Sequence, residues 1–201
     1  MKVLYAKPQI QKRIAEMATE IDTLYKSVRE PIVAICVLRG AMYFFADLTR
    51  SMKTPLVTEY VKMSSYGNGT ESTGIVVFDL LPNGLENKHV LVVEDIIDTG
   101  FSMSELVTVL EKQKPKSIHI ATLLNKQECR KIDNLVVHFT GFNILDHFVV
   151  GMGMDKAQLY RNHRDIVYFE EGDDGTIPRQ EVTEQNESQT GWSLLPSFFR
   201  G

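Results

Sequence analysis

The sequence has little cysteine and no long apolar run. Its two cysteines, Cys36 and Cys129, are too few for a disulfide framework and lack the spacing of metal ligands. The longest apolar runs, such as Ile32–Leu38, fall far short of the ~20 residues that cross a bilayer. No apolar signal segment follows Met1. We therefore expect a soluble, cytoplasmic protein of a reducing compartment, with no membrane partner.

The sequence also has no excess of positive charge. The net charge is −4, and residues 170–201 carry seven acids against two arginines, which leaves residues 1–169 near neutral. Nucleic-acid binding needs a basic face, so we expect no nucleic-acid partner. Residues 1–169 suit one domain, whereas the acidic, polar start of 170–201 predicts a disordered tail. The apolar end of that tail, 192–199, is typical of a peptide that docks on another subunit or protein.

Strand and helix patterns alternate along the chain. Apolar residues recur at steps of three and four from Ile10 to Val28, which predicts an amphipathic helix that Pro31 ends. Further helices are predicted at 41–51, 102–113 and 155–162. Strands are predicted at 32–38, 56–62, 75–78, 89–94, 117–124, 136–139, 148–151 and 166–169, with a mobile, glycine-rich loop at 64–74. This alternation predicts an α/β fold with a mainly parallel sheet flanked by helices.

The segment 89–104 carries the strongest chemical signal. An apolar strand leads to Glu94 and Asp95, and a loop that contains Asp98-Thr99-Gly100 then leads into a helix. Ligands bind beyond the carboxyl ends of parallel strands, and a helix N-terminus presents unpaired N–H groups. The loop therefore predicts a phosphate cradle, and the paired carboxylates suit ribose hydroxyls beside a divalent metal. The alternative is a solvated acidic turn in which Ser102 only caps a helix.

The string VVEDIIDTGFS at 92–102 resembles the phosphoribosyl-diphosphate motif of the type I phosphoribosyltransferases, specifically the hypoxanthine-guanine branch. Further matches run in order through roughly residues 5–170, at 38–48, 64–74, 123–126 and 148–162. The resemblance implies a small hood built from both chain ends. It also implies transfer of the 5-phosphoribosyl group to hypoxanthine or guanine, giving IMP or GMP and diphosphate, with Mg²⁺ as cofactor and a homo-dimer or homo-tetramer as the assembly.

The same resemblance implies residue roles. Asp98 would be the general base near N7 of the purine. The phosphoribosyl group would be bound by Glu94, Asp95, Asp98, Thr99, Gly100, Phe101 and Ser102. The diphosphate would be bound by Arg39, Gly40, Ser65, Tyr66 and Arg161. The purine would be bound by Lys126, which donates to the 6-oxo group, by a stacking Phe148, by the backbone of Val149 and by Asp155. Magnesium would be held by Glu94, Asp95 and Asp155.

Several alternatives stay open at the level of sequence. Lys126 could be a solvated lysine, and Phe148 an ordinary core aromatic. Arg39 stands where many family members carry lysine, and the family tends to hold the peptide before it in the cis form. The whole chain could instead be a regulator that senses phosphoribosyl diphosphate or nucleotides and binds nucleic acid. It could also be an enzyme for another base, such as xanthine or a pyrimidine.

Overall fold

A six-stranded sheet forms the centre of the molecule, which is described by a computed structural model over residues 1–66 and 75–170. Across the sheet, the strands are β4 (Ile75–Asp79), β3 (Leu56–Tyr66), β2 (Ile32–Leu38), β5 (His89–Ile97), β6 (Ser117–Asn125) and β7 (Phe139–Asn143). Neighbouring strands are parallel except for the antiparallel pair β3–β4. The carboxyl ends of β2, β5 and β6 therefore meet at one edge of the sheet.

Helices cover both faces of this sheet. The helices α1 (Lys7–Leu24) and α2 (Met42–Ser51) pack on one face, and α3 (Phe101–Glu111) packs on the other. Alternate residues of β2 join the two cores, with Ala34 and Cys36 on the α1–α2 side and Ile35 and Val37 on the α3 side. Burial of both faces is the reason why β2 is continuously apolar, and it confirms the predicted α/β fold.

A second, smaller sheet joins the two ends of the described chain. Its order is β1 (Lys2–Tyr5), β9 (Ile166–Tyr168) and β8 (Val149–Val150), and both pairings are antiparallel. This is the hood that the resemblance implied. Glu170, the first residue assigned to the predicted tail, forms an ion pair of 2.7 Å with Lys2.

Several element boundaries were wrong. The first helix ends at Leu24 rather than Val28, because the buried Tyr25 turns into the sheet and its hydroxyl bonds to His119 Nδ1 at 2.9 Å. β5 does not stop at the acids, since its ladder with β6 continues through Ile97. β3 extends to Tyr66, which places the start of the predicted mobile loop in a strand.

Two predicted elements near the carboxyl end also differ. The strand expected at 136–139 lies at Phe139–Asn143, in register with β6. The helix expected at 155–162 is instead a tight turn, in which Lys156 and Leu159 exchange backbone hydrogen bonds and Ala157 and Gln158 have positive φ. Positive φ at both central residues is typical of a type I′ hairpin turn.

The remaining predictions for loop and tail, 67–74 and 171–201, lie outside the described residues. The division into a domain at 1–169 and a tail at 170–201 stays a prediction. In the described ranges, the helices are too short or too polar to cross a membrane.

Candidate active site

Three loops at one edge of the sheet bring most of the predicted site residues together. Arg39 and Gly40 follow β2, the segment from Asp98 to Ser102 follows β5, and Lys126 follows β6. Glu94 and Asp95 belong to β5 itself and lie near its carboxyl end. Because the carboxyl ends of parallel strands share an edge, residues that are 87 positions apart in sequence converge here.

The two adjacent acids of β5 are buried side by side. Glu94 and Asp95 are each 8% exposed. The N–H of Asp95 donates to Glu94 Oε1 at 3.1 Å, and the N–H of Ile96 donates to Asp95 Oδ1 at 2.9 Å. Over residues 1–66 and 75–170, no basic side chain forms an ion pair with either carboxylate. Burial raises the pKa of both, and for Glu94 the neighbouring negative charge of Asp95 raises it further.

These properties fit a divalent cation. Carboxylate oxygens are the ligands that Mg²⁺ prefers, and a cation would supply the positive charge that this buried pair lacks. Asp155, the third predicted ligand, differs from the pair. Its Oδ1 lies 2.6 Å from Arg161 Nη2, and its Oδ2 accepts the N–H of Gln158 at 2.8 Å.

Two glycines allow the loop after β2 to lie directly against the acids. A Cβ on Gly40 would lie 1.8 Å from Asp95 Oδ2. Gly153, at φ +105°, lies behind the same loop, and a Cβ there would lie 1.7 Å from the Gly40 carbonyl oxygen. The Leu38–Arg39 peptide bond is cis, as the family tendency suggested. The Arg39 side chain reaches the hood, where its Nη1 donates to Gln158 Oε1 at 3.2 Å.

The loop after β5 ends in the N-terminus of α3. Gly100 is the N-cap residue, with φ +83°, and as a glycine it supplies no capping side chain. The alternative in which Ser102 caps α3 is therefore wrong. Thr99 holds the loop, since its carbonyl accepts the N–H of Lys131 at 3.0 Å and its hydroxyl accepts that of Phe101 at 3.4 Å. N–H groups of the first helical turn remain for an anionic ligand, beside the positive end of the helix dipole.

A buried lysine links two carboxylates beside this loop. The Lys126 side chain is 9% exposed, and its Nζ donates to Asp98 Oδ2 at 3.1 Å and to Asp146 Oδ1 at 2.8 Å. Burial works to lower the pKa of Lys126, but the hydrogen bonds from the two carboxylates outweigh it, so the pKa is raised. The same contact lowers the pKa of Asp146. The hypothesis that Lys126 is a solvated lysine is wrong.

A cavity of about 230 Å³ opens between these groups and the hood. Its lining residues are Asp95, Ile96, Asp98, Lys126, His147, Phe148, Val149, Met154 and Asp155. Phe148 is 58% exposed and is therefore not a core aromatic, whereas Val149 is buried in β8. The volume is below the ~300–1,000 Å³ typical of drug-sized ligands and suits a single heterocyclic base.

Arg161 connects the hood to the acid pair. Its Nη1 donates to the Gly153 carbonyl at 2.7 Å, and its charge acts to lower the pKa of Asp95 against the larger effect of burial. Ser65 and Tyr66 are the last residues of β3, which runs parallel to β2 and ends on the same side of the sheet, and they pair there with Val76 and Ile75. Their side chains lie outside what the structure describes.

Sequence reasoning missed three groups at this site. Asp146 and His147 precede β8 in a segment without periodicity or a motif, whereas Gly153 follows β8 within the matched stretch 148–162 but was given no role there. Asp98, Cys129 and Asp146 also place possible ligand atoms within 4.8 Å of one another. There, however, the Lys126 ammonium already supplies the positive charge.

Comparison with known proteins agrees with this geometry. The phosphoribosyl transferase domain family matches residues 1–157. The hypoxanthine phosphoribosyltransferase of Buchnera aphidicola is 42% identical over 162 residues, which is 80% of this chain and 91% of the relative. The hypoxanthine-guanine phosphoribosyltransferase of Bacillus subtilis is also 42% identical over 162 residues, which cover 80% of this chain and 88% of that enzyme.

The fold is also similar to that of solved structures. The crystal structure of a hypoxanthine phosphoribosyltransferase from Staphylococcus aureus superposes with a TM-score of 0.79 at 36% identity. The superposition covers 85% of this chain and 91% of the other.

Proposed function

The chain belongs to the phosphoribosyltransferase family, and from that membership we propose that its site makes purine nucleotides by salvage. The reaction transfers the 5-phosphoribosyl group from phosphoribosyl diphosphate to hypoxanthine or guanine, and it yields IMP or GMP and diphosphate. One observation carries the choice of substrate. A buried lysine paired with a half-exposed carboxylate faces a cavity that suits a single base, beside an uncapped helix N-terminus.

Lys126 and Asp98 are suited to the two polar edges of an oxopurine. An ammonium donates to the 6-oxo oxygen, whereas the 6-amino group of adenine offers it no comparable acceptor. Asp98 lies within 3.1 Å of that ammonium, so it is placed to take the proton from N7 as the new bond forms at N9. Phe148 lines the cavity and exposes its ring, which supports stacking on the base.

The 5′-phosphate and the diphosphate would be bound by different parts of the site. The loop from Thr99 to Ser102 and the α3 N-terminus suit the 5′-phosphate, because N–H groups and the helix dipole attract an anion. The backbone around Gly40 and the guanidinium of Arg161 suit the diphosphate. Ser65 and Tyr66 keep their predicted place at the diphosphate as a proposal.

Glu94 and Asp95 are proposed to hold Mg²⁺ and the ribose hydroxyls. The bound cation would neutralise charge on the departing diphosphate. Asp155 joins them as a ligand only if it exchanges its contact with Arg161, so we assign it first to the wall of the purine cavity. Chelation of Mg²⁺ should therefore abolish turnover without unfolding the protein.

The two other candidate functions are less well supported. A nucleic-acid-binding regulator would not need the Lys126–Asp98 pair, and the relatives compared above carry the names of enzymes. A pyrimidine enzyme would not need a donor for a purine 6-oxo group. Assembly as a homo-dimer or homo-tetramer stays a proposal from family resemblance.

The test is an assay of nucleotide formation. The purified chain, Mg²⁺ and phosphoribosyl diphosphate are mixed separately with hypoxanthine, guanine, xanthine, adenine and uracil. We expect turnover with hypoxanthine or guanine and none with adenine or uracil. Failure with every base, while phosphoribosyl diphosphate still binds, would favour the regulator.

A further inference from the structure

We propose that Asp146 is a positioning residue that holds the Lys126 ammonium at the purine cavity and balances its charge while Asp98 acts on the base. This inference rests on the proposed function. It assigns a role to a carboxylate that does not line the cavity and that the sequence did not mark.

Lys126 contacts two carboxylates, and its contact with Asp146 is the shorter. Its Nζ lies 2.8 Å from Asp146 Oδ1 and 3.1 Å from Asp98 Oδ2. The ammonium is buried, whereas the Asp146 side chain is 73% exposed. An exposed carboxylate thus contacts a buried ammonium. The contact contributes to the position and charge of Lys126 and adds little to core packing, since the Asp146 side chain is mostly in solvent.

The segment that carries Asp146 is held on both sides. The N–H of the buried Ile144 donates to the Asn125 carbonyl at 3.0 Å, which ties this segment to the end of β6 beside Lys126. On the other side, the His147 ring stacks on Tyr168 with a centroid distance of 4.8 Å. Asp146 is therefore fixed in place although its side chain is exposed.

The contact between Asp146 and Lys126 would balance the charge of the ammonium during the reaction. Asp98 cannot remain the counter-ion of Lys126 once it has accepted the N7 proton, because the protonated carboxyl is neutral. A buried ammonium that loses its only partner is strongly destabilised. With Asp146 present, the ammonium keeps one full negative charge at 2.8 Å throughout the cycle. It can then turn from Asp98 to the 6-oxo oxygen while staying anchored.

A second consequence concerns Asp98 itself. If Lys126 had no other acceptor, it would pair fully with Asp98, and a carboxylate held in that way is a weaker base. Sharing the ammonium with Asp146 leaves Asp98 available to the purine.

The experiment compares the Asp146→Asn variant of the full chain with the unmodified protein in steady-state assays. The amide keeps the shape of the side chain but removes its charge. We expect the KM for hypoxanthine to rise by about tenfold, as the loss of one charged hydrogen bond predicts. The KM for phosphoribosyl diphosphate should stay within about twofold, since the phosphate-binding groups do not contact Asp146.

Two further variants separate positioning from general damage. Asp146→Glu restores the charge and should return the KM for hypoxanthine to within about threefold of the unmodified value. Glu20→Gln is the matched control, because Glu20 also bonds to a partly buried cation, Arg13 Nη1 at 2.8 Å, but lies on α1 away from the cavity. It should leave both KM values unchanged.

The inference is overturned if Asp146→Asn leaves the KM for hypoxanthine unchanged, or if it raises both KM values equally. An unmodified protein that turns over neither hypoxanthine nor guanine overturns the proposed function, and this inference with it. The two failures are therefore distinguishable.

Discussion

At the scale of single residues, Asp98 combines proximity to a cation with access to solvent. Its side chain is 50% exposed, and yet it bonds to the buried ammonium of Lys126. A carboxylate in this position can reach a base that enters the cavity, because Asp98 is among the residues that line it. Replacing it by asparagine removes the proposed proton acceptor but keeps the size of the side chain.

We expect Asp98→Asn to lower kcat by about 10²–10⁴-fold, the usual contribution of a general base. Binding of phosphoribosyl diphosphate, measured by titration calorimetry, should change little because the phosphate cradle is intact. Unchanged turnover would remove Asp98 from the mechanism.

Lys126 should set the choice between oxopurines and aminopurines. In Lys126→Met the donor to the 6-oxo group is lost, whereas most of the buried aliphatic stem is retained. The preference for hypoxanthine over adenine, measured as the ratio of kcat/KM values, should fall by at least about tenfold. A preserved ratio would mean that another group recognises the 6-position.

Sequence reasoning at this scale worked where residues follow strand ends. Glu94 and Asp95 lie near the carboxyl end of β5 and Lys126 directly follows β6, so the sheet topology places them on one side. Asp146 and Gly153 could not be found in this way. Their contacts depend on how the segments around β8 fold back over the sheet, and neither residue carries a periodic or chemical signal of its own.

At the scale of elements, close packing of glycines joins the hood to the central sheet. Gly153 is held at φ +105°, and a Cβ on it would come within 1.7 Å of the Gly40 carbonyl oxygen. Any side chain at this position must therefore push apart the loop after β2 and the segment after β8.

Gly153→Ala should destabilise the protein by about 1–3 kcal/mol, from backbone strain together with the steric clash. It should also reduce turnover, because Gly40 and Arg161 would move with it. Gly84→Ala is the control, since Gly84 has φ +73° but no neighbouring atom within 4 Å of its Cβ position. Both are measured by urea denaturation. Equal losses of stability would mean that the packing against Gly40 is unimportant.

The elements that sequence patterns missed have a common cause. β1 is four residues long, and its partner β9 lies more than 160 positions away, so no local pattern distinguishes it from a polar lead into α1. The turn at 155–162 was mistaken for a helix because two of its three positive-φ residues, Ala157 and Gln158, are good helix formers. In contrast, β2 and β6 were found because they are buried on both faces.

At the scale of the whole molecule, three histidines lie at the end of the sheet opposite the candidate active site. His89 and His119 line a groove of about 470 Å³ beside Tyr25, and His138 packs edge-on against His119 with ring centroids 4.7 Å apart. Burial lowers the pKa of all three, and neighbouring positive charge lowers those of His89 and His119 further.

These shifts predict a loss of stability in mild acid. The unfolded chain, with an ordinary histidine pKa of about 6.5, takes up protons before the folded chain does. The free energy of unfolding should therefore be fully retained above that pH and should decrease as the pH falls below it. The slope between pH 7 and 5.5, measured by urea denaturation, should be shallower in His119→Gln. An equal slope would show that His119 does not contribute.

The pairing of the first strand with the last has a consequence for synthesis. The acid pair, the phosphate cradle and Lys126 are all translated before β8 and β9, whereas β1 waits for β9 as its ladder partner. A nascent chain that has just passed Lys126 thus lacks both Arg161 and the segment around β8 that lines the cavity. The cavity can therefore close only after the segment around β8 has been translated, since Phe148 and Val149 belong to its lining.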